Sequence, residues 1–194
     1  MNKFLILSVF FILSVIVLVR TQSCGVRSGS YTSASRKSGM KSQTINGMAK
    51  IQGESFEILT VNGAASLDDV SAQEVIINGS LGATNLVTQK LTANGSVNLT
   101  ASKIEEIAKV AGALEAYECL FNAITLLSEY AVLNNSKVKT IDVKKVSDFR
   151  KKVQQIELIN TVVEGNIVFE SGEGEVILKN GALVQGKVIG GRII

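Results

Sequence analysis

Residues 44–107 read TINGMAKIQGESFEIL, TVNGAASLDDVSAQEV, IINGSLGATNLVTQKL and TANGSVNLTASKIEEI when they are written sixteen to a line. An Asn-Gly pair stands at the same place in every line, namely Asn46-Gly47, Asn62-Gly63, Asn78-Gly79 and Asn94-Gly95. Asn-Gly usually forms the turn of a β-hairpin, because both residues tolerate positive φ. A hairpin gives no reason for a fixed spacing, so the pairs indicate one corner of a repeating structure.

Aliphatic residues follow the same period. Within each line they alternate with a period of two, which indicates strands, and sixteen residues are too few for a pair of helices. Gly53, Asp69 and Asn85 mark a second corner. We therefore predict an all-β fold, a single-stranded β-helix or β-solenoid, whose coils stack about 4.8 Å apart while the Asn side chains hydrogen-bond to their own copies. The predicted core positions are Ile45, Leu59, Val61, Ala65, Leu67, Val75, Ile77, Leu91, Val97, Leu99 and Ile107.

Weaker repeats extend this prediction to about nine coils of 16–17 residues over residues 44–191. Gly112 and then Ser128 take the place of the corner glycine, and Asn180-Gly181 marks a further corner. The pattern is least regular at residues 142–158. Further inward side chains are expected at Leu114, Ala116, Cys119, Phe121, Ile124, Tyr130, Val132, Val138, Ile141, Val153, Ile156 and Leu158.

Residues 102–133 also fit an amphipathic helix. Ser102 and Glu105 have the spacing of a helix capping box. A helix that interrupts the solenoid is therefore the alternative for this stretch, although the solenoid register passes through it with a single insertion. The helical pattern consists of Ile104, Ile107, Ala111, Leu114, Tyr117, Phe121, Ile124 and Leu127.

The N-terminal region differs from the rest in composition. Residues 4–19, FLILSVFFILSVIVLV, are uncharged and mostly apolar. As a helix they would extend about 24 Å, between the core of a signal peptide and a full membrane span. We predict a signal peptide or membrane anchor at residues 1–19, a flexible basic Ser/Gly tether at 20–43 and the β-solenoid domain at 44–194.

Two features beside the apolar run point to opposite sides of a membrane. Cys24 follows Ser23 in RTQSCG, which resembles the lipobox of bacterial lipoproteins, so Cys24 is a candidate for lipidation. Arg20 and Arg27 follow the run closely, while Lys3 and the α-amine precede it, and this distribution favours a cytoplasmic solenoid. The sequence predicts membrane association and leaves the side of the membrane open.

The composition removes most catalytic chemistry. The chain has no His, and its two Cys lack CxxC spacing, so it offers no imidazole base, no Cys-His nucleophile and no His-containing zinc site. The pairs Asp68-Asp69 and Glu105-Glu106 project to opposite faces of a strand. The stretch SGEGEV, residues 171–176, lacks the third glycine and the helix of a phosphate-binding loop and is interpreted as a solvated corner. We predict no enzyme activity, cofactor, metal or small-molecule substrate.

The basic charge belongs to the N-terminal region. All 17 acidic residues follow residue 43, and residues 44–194 carry a net charge of −3, which argues against binding of nucleic acid. The basic run Lys137–Lys152 is interpreted as a solvated bulge on the least regular coil, with a patch that binds polyphosphate, lipid or nucleic acid as the alternative. Cys119 is expected to be a small apolar core residue.

Two phrases, VIINGSLGA at 75–83 and VILKNGALVQGKV at 176–188, resemble the bactofilins, the polymer-forming cytoskeletal proteins of bacteria. Members of that family show corner glycines before aliphatic ladders and a Gly-Ala step, an aliphatic residue and a second glycine near the C-terminus. The resemblance covers residues 44–191 and implies a right-handed β-helix that assembles end to end into filaments without nucleotide, often near a membrane. Its partner would be other copies of the same chain. The C-terminal matches are Gly181-Ala182, Leu183-Val184 and Gly186.

The leading hypothesis is a non-catalytic, membrane-associated bacterial protein that self-assembles through the ends of its solenoid into a filament or scaffold. Open solenoid ends expose unpaired strand edges, and contacts that do not close a ring produce fibres. The alternative is an exported lipoprotein with an adhesin-like solenoid that binds a ligand. An enzyme built on a β-helix is disfavoured, because hexapeptide acyltransferases use a His that is missing and sixteen is not a multiple of six.

Overall fold

The computed structural model describes residues 40–146 and 153–194. Seventeen strands form one continuous sheet, and the described residues contain no helix. The strands are β1 (Lys41–Gln52), β2 (Ser55–Asp68), β3 (Ser71–Thr84), β4 (Val87–Asn94), β5 (Val97–Thr100), β6 (Lys103–Ala111), β7 (Leu114–Tyr117), β8 (Leu120–Leu127), β9 (Tyr130–Asn134), β10 (Lys137–Val143), β11 (Gln154–Ile159), β12 (Val162–Val163), β13 (Ile167–Phe169), β14 (Gly174–Lys179), β15 (Leu183–Val184), β16 (Val188–Ile189) and β17 (Gly191–Ile193).

Strands pair in parallel with the strands of the neighbouring coils. Ala49 of β1 pairs with Ala65 of β2, Ala65 with Leu81 of β3, and Leu81 with Val97 of β5, so each step along this column is sixteen residues. The pairing confirms the predicted all-β solenoid of about nine coils.

The coils lengthen toward the C-terminus. The same column continues through Leu114, Ala131, Ile156, Val176 and Ile193, with steps of 17, 17, 25, 20 and 17 residues. The prediction of 16–17 residues in every coil is therefore wrong for two coils. Most of the added residues lie in the sequence between β10 and β11, where residues 147–152 are outside the described ranges, and between β13 and β14, while the paired strands keep their register.

The core is a set of apolar columns along the inside of the stack. A single coil cannot bury its own apolar side chains, so each inward residue packs on its counterparts in the coils before and after it. Ile45, in the first coil, is partly buried. The other core positions named from the repeat, apart from Ile107, are buried, and they are Leu59, Val61, Ala65, Leu67, Val75, Ile77, Leu91, Val97 and Leu99.

The helical alternative for residues 102–133 is wrong. Strands β6–β9 occupy this stretch, and Tyr117 and Leu127 of the predicted helical stripe are 41% and 44% exposed. The free edge of the preceding coil offers backbone hydrogen-bond partners and an apolar column together. This tertiary pairing outweighs the local preference for helix.

One register error begins in β6. An extra residue enters between Ile104 and Ile107, so Ala108 rather than Ile107 pairs with Leu91 and is buried. The sequence predicted one insertion in this coil but did not locate it. Because side chains alternate between faces, an insertion displaced by one residue assigns the wrong residue to the core.

Three later predictions of inward side chains are also wrong. Two of them result from a shift of one residue in register. Ala131 and Leu133 occupy the core of β9, so Tyr130 and Val132 lie on the outer side of the strand. Val153 precedes β11 and is 40% exposed. The other later positions predicted to face inward are buried, including Phe121 and Ile156.

The predicted signal peptide or anchor and Cys24 lie outside the described residues. Strand β1 begins at Lys41, inside the segment predicted as tether. Within the described ranges, no helix is long and apolar enough to cross a membrane.

Candidate functional site

The four Asn-Gly pairs lie one above another at the first corner of the solenoid. After the first copy, the Nδ2 atom of each Asn donates a hydrogen bond to Oδ1 of the Asn one coil earlier. The distances are 2.7 Å from Asn62 to Asn46, 2.8 Å from Asn78 to Asn62 and 2.9 Å from Asn94 to Asn78. The predicted bonding between copies is confirmed, and it forms an exposed row of neutral amides that joins four coils.

From Gly63 to Gly112, the glycines of this corner are stacked too closely for a side chain. Gly63 and Gly79 have φ of 143° and 141°, a region that side chains rarely adopt. A Cβ added to Gly79 would lie 2.0 Å from the carbonyl oxygen of Gly63. The glycine at this position is therefore a requirement of the stack itself.

A second corner runs along the whole solenoid. One residue per coil adopts a left-handed conformation there, and its N–H donates to a carbonyl of the next coil, as from Asp69 to Thr84 at 3.1 Å. Asn180-Gly181 belongs to this second corner, so its likeness to the Asn-Gly pairs of the first corner is one of sequence and not of position. The residues of the column are Gly53, Asp69, Asn85, Ala101, Glu118, Asn135, Asn160 and Asn180.

A buried polar column follows directly after the second corner. The N–H of Cys119 donates to Oγ of Ser136 at 3.0 Å, and the N–H of Ser136 donates to Oγ1 of Thr161 at 3.1 Å. Each hydroxyl or thiol also donates to the carbonyl two residues before it, including Ser102 Oγ to Thr100 O at 2.9 Å. Sequence reasoning missed this column, although the signal is present as a small polar residue or cysteine after four successive left-handed positions, Ala101, Glu118, Asn135 and Asn160.

The Cys119 thiol belongs to this column and has a structural role. It is fully buried, and burial raises the pKa of the thiol above its ordinary value. A raised pKa keeps the sulfur as the weakly nucleophilic thiol. Its expected inward position agrees with the structure.

Polar side chains bridge the outer surface of the later coils. Glu157 accepts hydrogen bonds from the Tyr130 hydroxyl and the Lys179 ammonium, both at 2.7 Å. These two donors lower the pKa of Glu157, Lys179 having the larger effect, and the bond to Glu157 raises the pKa of Tyr130 to about 12. The three residues come from β11, β9 and β14, so they tie three successive coils together.

A second bridge lies beside the first. Glu175 accepts hydrogen bonds from Gln155 and Arg192, which lower the pKa of its carboxyl group. The sequence predicted a solvated Glu175, and this prediction is wrong because Glu175 is buried beneath its two partners. No periodic pattern marks either bridge, so sequence reasoning had no signal for them.

Gly174 of SGEGEV and Gly191 of the last strand both pack against Phe169. A Cβ on Gly174 would lie 2.1 Å from the ring of Phe169, and one on Gly191 would lie 2.7 Å from the same ring. Gly174 opens β14, which continues as a strand rather than as the helix that follows a phosphate-binding loop.

The basic run Lys137–Lys152 is partly neutralised by acidic residues of the next coil. Lys137 lies 2.7 Å from Glu164, and Lys144 pairs with Glu170. The Lys144 contact lowers the pKa of Glu170 and raises that of Lys144. Residues 147–152 of the run lie outside the described residues, so the proposed alternative of a binding patch stays a prediction.

The adjacent carboxylates do not converge on a common point. Asp68 accepts from Gln52 at 3.0 Å, and Asp69 accepts from Asn85 at 2.8 Å. Glu105 and Glu106 pair with different lysines, Lys103 and Lys90. Across the part of the chain that the structure describes, no group of three or more Cys, Asp or Glu is placed to hold a metal ion.

The two ends of the solenoid differ. In the last coil, Ile193 continues the column of Val176, yet Val176 is fully buried whereas Ile193 is 52% exposed. Val184 and Val188 likewise continue the columns of Val163 and Ile167 but are only partly buried. The C-terminal coil therefore presents the apolar columns of the core at its outer edge.

At the first coil some ends of the columns are covered. The ammonium of Lys41 lies 4.9 Å from the centre of the Phe56 ring and pairs with Glu54. Ala49 and Ile51 are buried even though they lie in the first coil. Ile45 is partly buried, as Val184 and Val188 are, but the burial of Ala49 and Ile51 contrasts with the exposure of Ile193 at the other end.

Comparisons with known protein families, with curated proteins and with solved structures find no match to this chain.

Proposed function

We propose that this protein is a non-catalytic structural protein that self-assembles through the ends of its β-solenoid into a filament or scaffold. The observation that carries the proposal is the C-terminal coil, where Val184, Val188 and Ile193 continue buried columns and are themselves incompletely buried. A second copy stacked on this coil would bury these side chains as each internal coil buries those of its neighbour.

The strand edge supports the same proposal. Within the described residues, β15, β16 and β17 pair with the preceding coil only. An unpaired edge above exposed apolar side chains is a template for pairing with another chain. Because the contact lies on the solenoid axis, it leads to linear assemblies.

The finer part of the proposal is that the protein is a bactofilin-like cytoskeletal element held at a membrane. The solenoid fold is of the type that the resemblance implies, and the apolar run at residues 4–19 is the predicted attachment. The function needs no bound nucleotide and no catalytic residue, only a rigid body with adhesive ends.

Electron microscopy and sedimentation of the purified protein test the assembly. We expect the wild-type chain to form filaments that sediment without nucleotide. Val184→Lys, which places a charge at the outer end of a core column, should leave the protein soluble and unassembled. Leu183→Lys is the matched control, because Leu183 lies next to Val184 but faces outward and is already exposed.

A strictly monomeric wild-type protein over a wide concentration range would contradict the proposal. So would equal assembly of the Val184→Lys variant and the wild type. Circular dichroism during heating must show that the Val184→Lys variant stays folded, so that loss of filaments reports the interface.

Membrane attachment is tested separately. We expect the full chain to fractionate with membranes and a chain without residues 1–19 to appear in the soluble fraction. Metabolic labelling with a palmitate analogue that depends on Cys24 would instead favour the exported lipoprotein. A soluble full-length chain would contradict both forms of attachment.

A further inference from the structure

The chain contains the same dipeptide, Asn-Gly, in two structural settings. Four copies lie in the ladder of the first corner, and Asn180-Gly181 lies in the turn between β14 and β15. We propose that Asn180 is a site of spontaneous covalent modification, deamidation through a cyclic imide, and that the ladder protects the other copies from the same reaction.

The reaction needs only the dipeptide and water. The backbone nitrogen of the glycine loses its proton and attacks Cγ of the asparagine, and the new C–N bond closes a five-membered ring as Nδ2 leaves as ammonia. Water then opens the ring at one of its two carbonyl groups and yields aspartate or isoaspartate. A glycine favours ring closure because it has no side chain to obstruct the attack. The asparagine side chain and the glycine nitrogen must both be free to move.

In the ladder, hydrogen bonds hold both reacting groups, the asparagine side chain and the glycine nitrogen. Nδ2 of Asn78, the atom that must leave, donates to Asn62, and Asn94 donates to Asn78 in turn. The attacking nitrogen at this corner is bound as well, since the N–H of Gly95 donates to the carbonyl of Ala111 at 2.9 Å. The glycines are stacked in contact through Gly63, Gly79 and Gly95. Ring closure there requires opening of the strand ladder on both sides.

Asn180-Gly181 is held neither by the Asn ladder nor by a stacked glycine. Both residues are exposed, and they form the centre of a tight turn in which the N–H of Ala182 donates to the carbonyl of Lys179 at 3.1 Å. Their φ values are both positive, 52° and 80°, as in the type I′ turn that Asn-Gly favours. A Cβ added to Gly181 would meet no atom within 4 Å. One hydrogen bond closes this turn, so it opens more easily than a paired strand.

The first copy, Asn46-Gly47, is held more firmly than Asn180-Gly181 and less firmly than the inner copies. Asn46-Gly47 lies within β1, and Oδ1 of Asn46 accepts from Asn62. Gly47 is in register with Gly63 but has no atom within 4 Å of an added Cβ. The expected order of rates is Asn180, then Asn46, then the inner copies.

The modification changes the junction with the last coil. Aspartate at position 180 adds a negative charge to the second corner, one coil after Asn160. Isoaspartate adds a methylene group to the main chain in the turn that precedes β15. Both products would therefore alter the coil that carries Leu183 and Val184.

Peptide mapping by mass spectrometry tests the assignment. The full-length folded protein is incubated at mildly alkaline pH, and deamidation is followed at all five copies. We expect Asn180 to react about tenfold or more faster than Asn62, Asn78 and Asn94, because local opening of a turn is easier than opening of paired strands. In denaturant the five copies should react at similar rates.

Two outcomes would overturn the proposal. One is an Asn180 that reacts no faster than Asn78 in the folded protein. The other is a fast deamidation signal that persists in Asn180→Gln, a variant that keeps an amide but removes the fast reaction. Loss of that fast signal in Asn180→Gln, with the slow rates at the ladder copies unchanged, supports the assignment.

Discussion

The early and late coils of this solenoid are held together on their outer surfaces in different ways. From β1 to β5 the coils are equal in length, and identical neutral side chains bond to one another, as Asn62 and Asn78 do. From β9 to β17 the coils are unequal, and different residues form complementary bridges, as Tyr130, Glu157 and Lys179 do. At the first corner the early coils use one residue type repeatedly, whereas the outer face of the late coils uses matched partners, although Asn160 also donates to Asn135 at the second corner.

The difference follows from the chemistry of the side chains. An amide both donates and accepts, so a column of Asn can satisfy itself, whereas a column of one charged residue would repel itself. Equal coils bring identical residues together and therefore suit amides. Unequal coils also bring different residues together, and there an acid can lie between a hydroxyl and an ammonium group. The stability of the late coils should therefore depend on pH, and that of the amide ladder should not.

The strongest perturbation of the regular half is a charge in its core. Leu67→Asp places a carboxylate in a buried column, and an unpaired buried charge costs about 3–5 kcal/mol. We expect the free energy of unfolding to fall by that amount, measured by denaturant titration. Ser66→Asp is the control on the opposite face of β2 and should be close to neutral. A Leu67→Asp variant with wild-type stability would contradict the register.

A smaller loss is expected from the corner stack. Gly79→Ala forces an alanine to adopt positive φ and to contact the Gly63 carbonyl, and such backbone strain costs about 1–3 kcal/mol. Gly82→Ala, three residues further along β3, is the control because its φ is not positive and no atom lies within 4 Å of its Cβ. Equal thermal stability of the two variants would show that the corner is not closely stacked.

The smallest effect concerns pH and the late coils. The pKa values of Glu157, Glu170 and Glu175 are lowered below their ordinary value of 4.5 in the folded protein. Their contribution to stability is therefore present above that pH and is lost as the pH falls through the lowered values. We expect hydrogen exchange, corrected for intrinsic rates, to show coils from β9 onward loosening before β1–β5. The cationic partners Lys144, Lys179 and Arg192 are exposed to solvent, which screens each bridge, so the change should be modest.

Glu157→Gln isolates one bridge. The variant should lose part of the acid dependence in β9, β11 and β14 and leave exchange in β1–β5 unchanged. At alkaline pH the dependence has the opposite sign, because stability falls as the pH rises. The raised pKa of Tyr130, about 12, means that its bond to Glu157 is fully present below the ordinary tyrosine value of 10.0 and is lost as the pH rises through about 12. Tyr130→Phe should remove that alkaline transition.

Much of the fold could be predicted because the repeat marks the same corner and core positions in several successive coils. The positions of Leu67 and Val75 follow from a period of sixteen and from alternation, and both are buried. Prediction failed where the period changed. Tyr130 and Val132 were assigned inward because an insertion shifts the alternation by one residue, and sequence alone does not say where the strand absorbs it. The bridges of Glu157 and Glu175 depend on that register and were not predictable.

The sequence by itself determined the β-solenoid, its first corner and the inner columns of the early coils, because one unit cannot bury its apolar side chains and identical units stack in register. Only the tertiary structure decided that residues 102–133 form strands, since the edge of the preceding coil pairs with them and outweighs their preference for helix. It alone also placed Asn180-Gly181 at the second corner. The same two residues form a protected ladder or an open turn according to whether another coil places an identical pair beside them.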